Sequence, residues 1–451
     1  MPQGKFHFSQ ILLPTGWARN VTLAVDEAGT ILSVQPDSAP EGEVFRDPAL
    51  PGLANIHSHA HQRAMAGLAE RSGPGADSFW TWREAMYGFA LKMSPEDLQA
   101  IAAQLAVECL KSGFTSLGEF QYLHHQPDGT AYAERARMSL ACLEAAREAG
   151  IGITLLPVLY AYGGFGGQSA NPGQRRFLND PAGFARIHAD LAAALRPGER
   201  LGIAPHSLRA VTVGLLKEVM TPQGPIHIHI AEQMKEVEDC LVFCNRRPVE
   251  YLMENFALDA RWSLIHATHM NGRETQALAR SGAIAGLCPV TEANLGDGIF
   301  NGVEYLANQG AIAIGTDSHV SVGVAEELRT LEYSQRYLTR GRNVLAGGPE
   351  RSTGRHLFDA ALAGGARSIG QSRGFLPGER LDAVMLDANH PRLVGREGDN
   401  LLDSWIFSGG SDCVRHVIAG GRHVVREGRH IAEEQITKNF AAAIARLKEA
   451  A

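Results

Sequence analysis

The chain has 451 residues, of which 45% are hydrophobic and 20% charged, an ordinary mixture for a globular protein with one large core and one smaller one. Its net charge of −7, without any basic run, argues against nucleic acid as a partner. No apolar stretch reaches the roughly 20 residues of a membrane helix. The start of the chain lacks the apolar core of a secretion signal, and the scattered cysteines suit reduced thiols. We therefore expect a cytoplasmic protein.

Both ends of the chain are predicted to form short β-strands joined by turns. The strand-like segments are 21–25, 31–34, 381–386, 414–418 and 423–425. Two glycines, Gly420 and Gly421, join the last two segments and suit a hairpin. We therefore expect a small β-sandwich domain built from residues 1–50 and 375–430, followed by a C-terminal helix over residues 431–451.

The middle of the chain contains a well-marked helix. Ser94 has the side chain of an N-cap, Pro95 suits the first helical turn, and acidic residues follow. The helix is predicted to run to Lys111, and Gly113 suits its C-terminal cap. A second, alanine-rich helix is predicted near residues 131–149, where a glycine stops it.

Strands and helices alternate along residues 51–374, which predicts parallel pairing of the strands. One strand ends at His57, and the segments that follow it are 115–120, 153–159, 201–205, 226–231, 263–267, 283–288 and 311–316. Eight strands in this arrangement predict a closed (β/α)8 TIM barrel as the large domain.

Metal-competent side chains stand at the ends of four of these strands. They are His57 and His59 after the first strand, His229 after the fifth, His266 after the sixth and Asp317 after the eighth. Side chains alternate between the faces of a strand with period two, so His57 and His59 point the same way and can bind one ion. Strand ends meet at the mouth of a parallel barrel, where enzymes of this fold keep their active sites.

These donors predict one divalent metal ion. A histidine considered alone is more often a satisfied or solvent-facing side chain, but a His-x-His pair with two further strand-end candidates favours a metal. We expect zinc, although iron and manganese suit the same ligands. His227 lies on the same face as His229 and competes with it, and His61 is expected to lie past its strand. The expected ligands, which leave an open position for water, are His57, His59, His229 and Asp317.

The same residues carry a resemblance to a known family. The deaminase branch of the amidohydrolase superfamily has motifs similar to His57-Ser58-His59, His229-Ile230-Ala231-Glu232, His266 and Gly315-Thr316-Asp317-Ser318, and the resemblance spans almost the whole chain. It implies that Glu232 shuttles protons and that His266, or alternatively His269, contacts the water on the metal. It also implies that His266 or Asp317 takes the first proton. Two-metal members carry a bridging lysine after strand four, and residues 202–207 contain none, so the resemblance implies a single ion.

One subgroup of that branch resembles the chain most in the segments 57–68, 77–84, 206–211, 229–233 and 291–298. Glu292 stands where the branch more usually has a Ser-Asn pair, and it looks normal for this subgroup. The substrate of the subgroup is a dicarboxylate with a formimidoyl group. The resemblance therefore implies hydrolysis of a linear amidine with release of ammonia, and it implies a homodimer.

Polar residues after other strands are the candidates for substrate binding. An arginine at a barrel mouth can hold a carboxylate with two parallel hydrogen bonds. By resemblance, Arg83, Arg209 and Tyr122 hold the substrate carboxylates, while Gln62 and His206 orient the substrate. A surface salt bridge is an equally good interpretation of Arg83 taken alone, and the neighbouring tryptophans are expected to be packing residues.

Two other functions remain open from the sequence. The first is deamination of a purine or pyrimidine base, which would need aromatic stacking and amide hydrogen bonds rather than paired arginines. The second is a non-catalytic protein whose metal is structural or whose barrel is a binding scaffold. Glu232 argues against the second function, because it adds a carboxylate beside four ligands, and structural zinc sites are usually closed and rich in cysteine.

Overall fold

The structure is a computed structural model that describes residues 4–73, 75, 77–220, 223–372 and 374–449. Residues 1–3 and 450–451 of the predicted end segments lie outside the described residues. The strands, in chain order, are β1 (Gly4–Leu13), β2 (Gly16–Val25), β3 (Ile31–Gln35), β4 (Glu43–Phe45), β5 (Ala49–Pro51), β6 (Leu53–Ser58), β7 (Phe114–Gln121), β8 (Gly152–Leu159), β9 (Arg200–Leu201), β10 (Ala204–Pro205), β11 (Ile226–Ile230), β12 (Trp262–His266), β13 (Ile284–Leu287), β14 (Ala311–Ile314), β15 (Ala383–Leu386), β16 (Val414–Ala419), β17 (Arg422–Arg426) and β18 (Arg429–His430).

The α-helices alternate with the strands of the middle segment and also follow the last strand. They are α1 (Phe79–Ala90), α2 (Pro95–Lys111), α3 (Arg137–Ala149), α4 (Pro181–Ala194), α5 (Val213–Val219), α6 (Met234–Cys244), α7 (Pro248–Asn255), α8 (Gly272–Ser281), α9 (Pro289–Leu295), α10 (Gly302–Ala307), α11 (Val324–Thr339), α12 (Thr353–Ser368), α13 (Asp399–Phe407) and α14 (Glu433–Glu449). Among the described helices, none combines the length and apolar character that crossing a bilayer demands.

The strands β6 to β14 form a closed parallel barrel. One half has the order β10-β8-β7-β6 with β9 also on β8, and the other has the order β11-β12-β13-β14. Isolated parallel bridges close both seams: Ser58 pairs with Asp317 on one side, and on the other Ile203 pairs with Ile226 and Ser207 with His229. The short strands β9 and β10 share the fourth position, so the barrel has eight positions and the predicted (β/α)8 class is confirmed.

The strands from both chain ends form one nine-stranded sheet. Its order is β18-β17-β16-β15-β5-β1-β2-β3, and β4 pairs with β1. The N-terminal strands are longer than the sequence predicts, because β1 and β2 form a ladder that extends from Gly4 to Val25. The side chains of Phe8, Leu23 and Met385 are buried in a core of their own against this sheet.

The apolar run 50–56 belongs to two sheets rather than to one strand. Residues up to Pro51 pair with β15 in the end sheet, whereas Leu53 begins the barrel strand β6. The crossing is made at Gly52, where a Cβ atom would lie 2.3 Å from the side chain of Thr115. Hydrophobicity marked the buried segment, but the division depends on a close backbone approach that only glycine permits.

Two predicted helices show which helix boundaries the local sequence predicts. The helix α2 begins after a Ser94–Asp97 capping box and is followed by Gly113 in a left-handed conformation, as its terminal residues predict. In contrast, α3 begins at Arg137 rather than near residue 131. A favourable composition alone does not start a helix, and the first residues of that segment instead form bends between β7 and the helix.

The end of α12 closes the barrel at the N-terminal ends of its strands. Ile369 packs in the barrel interior with Ile56 and Ile284. The hydroxyl of Thr154 donates a hydrogen bond to the carbonyl oxygen of Ile369 at 2.8 Å. Ligands therefore reach the interior from the opposite end, where the strands terminate.

Candidate active site

The β6–β14 seam sets the positions of three candidate metal ligands. The backbone N–H of Asp317 donates to the carbonyl oxygen of His57 at 3.0 Å, and the N–H of His59 donates to the carbonyl oxygen of Asp317 at 3.2 Å. Ser58 pairs with Asp317 between these bonds. His57 and His59 lie two residues apart on one strand, so both rings face the carboxylate across the seam.

The predicted ligands converge at the mouth of the barrel. The Nε2 atoms of His57 and His59 lie 3.5 and 3.2 Å from Oδ1 of Asp317. The Nε2 atoms of His57 and His229 are 3.0 Å apart. Ligand atoms of His57, His229, His266 and Asp317 all lie within 4.8 Å of one another. A single ion can therefore contact donors that the sequence separates by up to 260 residues.

Backbone carbonyl groups fix the orientation of two of the rings. The Nδ1–H of His59 donates to the carbonyl oxygen of Phe120, and that of His229 donates to the carbonyl oxygen of His206, both at 3.0 Å. This tautomer leaves the Nε2 lone pairs of both rings directed into the cluster. A carbonyl group that accepts the other ring N–H of a ligating histidine orients the ring in this way. The donor set of neutral imidazoles and one carboxylate therefore fits a divalent ion of the zinc type.

The electrostatics of the cluster favour the protonation states that ligands need. Burial lowers the pKa of His57 to about 3, and it keeps the pKa of His229 well below its usual value. Burial would raise the pKa of Asp317, but hydrogen bonding and charge from His57, together with His59 and His266, hold it below its usual range. The imidazoles are therefore neutral and the carboxylate is ionised at neutral pH.

His266 differs from the other histidines because carboxylates surround it. Its Nε2 lies 3.7 Å from Oε1 of Glu232 and 3.9 Å from Oδ2 of Asp317, while its Nδ1 lies 3.1 Å from Oε1 of Glu292. Burial opposes the charged form, yet Glu232 and the other two carboxylates raise the pKa of His266 to about 10. Glu292, whose role the sequence left open, thus holds one face of this ring.

Glu232 is a buried carboxylate with a pKa suited to proton transfer. Its side chain is 7% exposed, and burial raises its pKa to about 7, against the attraction of His266 and Arg209. A group that titrates near neutral pH can both accept and donate a proton during turnover. The residue follows β11 in the turn that leads to α6.

Several residues at the site have a left-handed backbone conformation, which residues other than glycine rarely adopt. Ala231, His266 and Asp317 have φ values of +50°, +69° and +47°, and each lies at or just after the end of a barrel strand. Non-glycine residues in this left-handed region cost about 1–3 kcal/mol each and cluster at functional sites. Hydrogen bonds across the β6–β14 seam hold Asp317, and the N–H of His269 donates to the carbonyl oxygen of Ala231 at 2.9 Å.

A cavity of about 570 Å³, including the open space at its entrance, lies above this cluster. Of the predicted site residues, all except His57 line it, and His57 lies beneath as part of the cluster. The lining residues predicted from the sequence are His59, Gln62, Arg83, Tyr122, His206, Arg209, His229, Glu232, His266 and Asp317. The remaining lining residues are mostly aromatic or apolar, namely Phe79, Trp82, Met86, Tyr87, Tyr160, Phe177 and Leu295.

The two arginines of the cavity have different surroundings. The guanidinium of Arg83 stacks over the rings of Trp80 and Tyr87, at 4.5 and 5.6 Å from their centroids, and no described carboxylate pairs with it. The Nε of Arg209 lies 3.8 Å from Oε2 of the fully buried Glu236. The surface salt bridge considered for Arg83 is therefore absent from the described residues, and its charge remains free to bind an anion.

The other predicted substrate-binding residues form a polar wall. The amide Nε2 of Gln62 donates to the hydroxyl oxygen of Tyr122 at 2.8 Å. The ring of His206 lies 4.8 Å from that of His229 and 4.5 Å from that of Tyr160. Gln174 in turn donates to the hydroxyl of Tyr160 at 2.6 Å. These bonds fix the side chains that line the cavity next to the candidate metal ligands.

Three histidines weighed as alternatives lie outside the cluster. His227 is deeper in the barrel, where its Nε2 bonds to the carbonyl oxygen of Ser368 at 2.8 Å. His61 follows β6 in a short 3-10 helix, with its ring centroid 6.2 Å from that of His59. His269 lies in the turn after β12 and is not among the residues that line the cavity.

A buried polar network beneath the ligands was not anticipated. The hydroxyl of Ser58 donates to Glu119, which also accepts from the backbone N–H of Ala60 at 2.9 Å. Ser58 lies 3.0 Å from Nε2 of His319, whose Nδ1 bonds to Thr316 at 2.7 Å. The chain of bonds braces the residues between His57 and His59 and the residue before Asp317. A glutamate inside a buried strand, as Glu119 is in β7, is the sequence signal for such a network.

Other residues missed from the sequence follow a simple spacing. Tyr87 stands four residues after Arg83 on α1, so the two residues share one helix face. Tyr160 directly follows strand β8, as Tyr122 follows β7. A search of the strand end after β8, and of the helical turn after Arg83, would have identified both tyrosines.

The chain is similar to known proteins over almost its whole length. A model of the amidohydrolase family matches residues 49–424. The chain is 51% identical over 442 residues to the formimidoylglutamate deiminase of Pseudomonas aeruginosa, covering 97% of this chain and 98% of the relative.

Solved structures extend the likeness to three dimensions. The crystal structure of an amidohydrolase from Brucella melitensis superposes with a TM-score of 0.95 at 50% identity, covering 99% of this chain and 100% of that one. An adenosine deaminase from Xanthomonas campestris with bound zinc has a TM-score of 0.79 at 19% identity, covering 99% and 98%. The latter likeness shows the fold alone.

Proposed function

We propose that this chain, which belongs to the amidohydrolase family, hydrolyses N-formimino-L-glutamate to N-formyl-L-glutamate and ammonia, a step of histidine degradation. The family expected from the sequence is confirmed. The observation that carries the proposal is one cavity that contains a metal-competent cluster, a proton-transfer carboxylate and two arginines. Together with the near full-length identity to a formimidoylglutamate deiminase, this combination suits a dicarboxylate that carries an amidine.

We propose one zinc ion held by His57, His59, His229 and Asp317. Members of the family use a divalent metal, and the converging neutral imidazoles and ionised carboxylate support this ligand set. When bound, a divalent ion supplies a nucleophile by lowering the pKa of water to about 7. Every remaining step is assigned to side chains of the cavity.

Glu232 is placed to move the proton. Attack on an amidine carbon is easier once the imino nitrogen is protonated, and a carboxyl group with a pKa near 7 can deliver that proton. His266 lies between Glu232 and Asp317, and Glu292 fixes the other side of its ring. With a pKa of about 10 the ring is charged in the metal-free site, so it would accept a proton from the attacking water only once a bound cation had displaced its own, and Asp317 is the alternative acceptor. When the tetrahedral intermediate collapses, its carbon–nitrogen bond breaks, the proton first removed from water passes to the departing amino group, and the hydroxyl proton returns to Glu232. The nitrogen leaves as ammonia and the carbon becomes a formyl group.

Arg83, Arg209 and Tyr122 are the proposed carboxylate-binding residues. Arg83 has no described carboxylate partner, so it meets the substrate with its charge unpaired. Gln62 holds the Tyr122 hydroxyl by a hydrogen bond, and His206 lies between Tyr160 and His229 in the same wall. Arginine binds carboxylates with two parallel bonds, which adds geometric selection to the attraction of charge.

A coupled assay for ammonia tests the proposal directly. The purified, zinc-loaded protein is incubated with N-formimino-L-glutamate, and with guanine and cytosine in parallel. We expect ammonia and N-formyl-L-glutamate from the first compound only. Release of ammonia from guanine or cytosine instead would mean that the protein belongs to another group of deaminases. The domain boundaries, the cytoplasmic location and the homodimer expected from the sequence stay predictions.

A further inference from the structure

Glu236 is a buried carboxylate to which the proposed reaction gives no role. Its side chain is 0% exposed, and it stands on the first turn of α6, four residues after Glu232. Among the described residues, Arg209 is the one cationic side chain within 4 Å of it, at 3.8 Å. Neither carboxylate oxygen has a described side chain as its hydrogen-bond partner. A buried charge that has a single cationic neighbour is costly unless that neighbour is held in place.

The surroundings of Glu236 hold its carboxylate in one position. Burial raises the pKa of Glu236, and the charge of Arg209 opposes that rise, with a smaller contribution from the nearby backbone N–H groups of Ala231 and Glu232. These amides belong to the turn in which Ala231 has a φ of +50°. The helix α6 also begins there, and its N-terminus favours negative charge. The carboxylate therefore cannot follow Arg209 if the arginine moves.

Arg209, in contrast, has a choice of partners. Its charge is attracted by both Glu236 and Glu232. Its Nε is buried and forms no hydrogen bond with any described residue, and the side chain is 14% exposed and lines the cavity. Glu232, the proton-transfer residue, is therefore the second carboxylate that attracts the guanidinium.

We propose that Glu236 is a positioning residue, which anchors Arg209 so that the guanidinium faces a carboxylate of the substrate instead of pairing with Glu232. This inference rests on the proposed function for the identity of the substrate. Arg83 differs from Arg209, because it stacks on aromatic rings and has no described carboxylate as a partner. The two arginines should therefore respond differently to the loss of Glu236.

The test is a set of double-mutant cycles with a ligand that does not react. Calorimetry measures the Kd of N-formyl-L-glutamate for the zinc-loaded wild type and for Glu236→Gln. The effect of Glu236→Gln on Kd is then measured again in proteins that carry Arg209→Met or Arg83→Met. Glutamine keeps the size of the side chain and an acceptor for the backbone amides. We expect Glu236→Gln to raise Kd at least tenfold in the wild-type and Arg83→Met backgrounds, and less than twofold in the Arg209→Met background. An equal effect in all three backgrounds overturns the proposal.

Turnover supplies the second readout. Once substrate is bound, its carboxylate occupies Arg209, so kcat of Glu236→Gln should stay within threefold of wild type while KM rises. A loss of kcat with an unchanged KM contradicts the positioning role. Glu332→Gln is the matched control, because Glu332 is another fully buried carboxylate paired with an arginine, at 2.7 Å from Arg336 on α11, and it does not line the cavity. We expect it to change thermal stability and leave Kd unchanged.

The outcomes separate this inference from the proposed function. If the wild type releases no ammonia from formiminoglutamate but the Kd cycle shows coupling to Arg209, the proposed reaction is wrong and the positioning role stands. If turnover occurs and the coupling is absent, the positioning role is wrong and the reaction stands.

Discussion

Replacing Glu232 by glutamine removes the proposed proton carrier without changing the size of the side chain. Glu232 is buried, its pKa is raised to about 7, and its Oε1 lies 3.7 Å from Nε2 of His266. General acid–base catalysis by one side chain contributes about 10²–10⁴-fold to a rate, which corresponds to roughly 3–5 kcal/mol of activation free energy. We expect kcat of Glu232→Gln to fall by this factor.

The same substitution should weaken the charged form of His266. At a separation of 3.7 Å and an effective dielectric constant of about 20, the attraction between unit charges is about 4 kcal/mol. Glu292 and Asp317 remain, so the pKa of His266 should fall without returning to the low values of the other buried histidines. An NMR titration of the labelled ring in the metal-free protein measures this shift.

The assay is ammonia release from N-formimino-L-glutamate, with the metal content measured on each sample. Glu238→Gln serves as the control, since this glutamate is exposed on α6, the helix that follows Glu232. A kcat of Glu232→Gln within threefold of wild type, at one metal per chain, would remove Glu232 from the mechanism. A loss of metal in the variant would assign it to the ligand set instead.

Three further outcomes follow from the site. Arg83→Met should raise KM for formiminoglutamate roughly 10- to 100-fold, because charged hydrogen bonds contribute about 1.5–3 kcal/mol; a KM within twofold of wild type would contradict the carboxylate role. Chelation should leave a folded, inactive protein by circular dichroism that zinc restores, whereas unfolding on chelation would indicate a structural ion. Burial raises the pKa of Glu119 to about 7, above its ordinary value of 4.5, so its contribution to stability is complete below pH 4.5 and is lost as pH rises through 7. In urea unfolding, the free energy of unfolding of wild type should fall by about 3 kcal/mol as the pH rises, and that of Glu119→Gln should not show this fall. An equal dependence of the unfolding free energy on pH in the two proteins would refute the assignment.

Strand-end histidines were predictable because two regularities act together. Side chains alternate along a strand, so His57 and His59 share a direction, and parallel strands end at one face of the barrel, so His229 and Asp317 reach the same point. Neither regularity requires knowledge of the loops. The cluster therefore follows from spacing in the chain and from the number of strands.

The residues that sequence reasoning missed depend on contacts between distant segments. Gly52 divides an apolar run because Thr115 leaves no room for a Cβ atom. Ala231 adopts a left-handed conformation because the surrounding turn and seam determine it, and no local preference of alanine favours that state. Glu236 has a role only through Arg209, which lies 27 residues earlier in the chain. Local propensity carries no information about such pairs.

Anomalous diffraction from crystals of the zinc-loaded protein, at the zinc absorption edge, locates the metal ion. We expect one peak per chain, at about 2.0–2.2 Å from Nε2 of His57, His59 and His229 and from a carboxylate oxygen of Asp317. A peak elsewhere, two peaks at the barrel mouth, or rings that turn away from a common point would contradict this expectation.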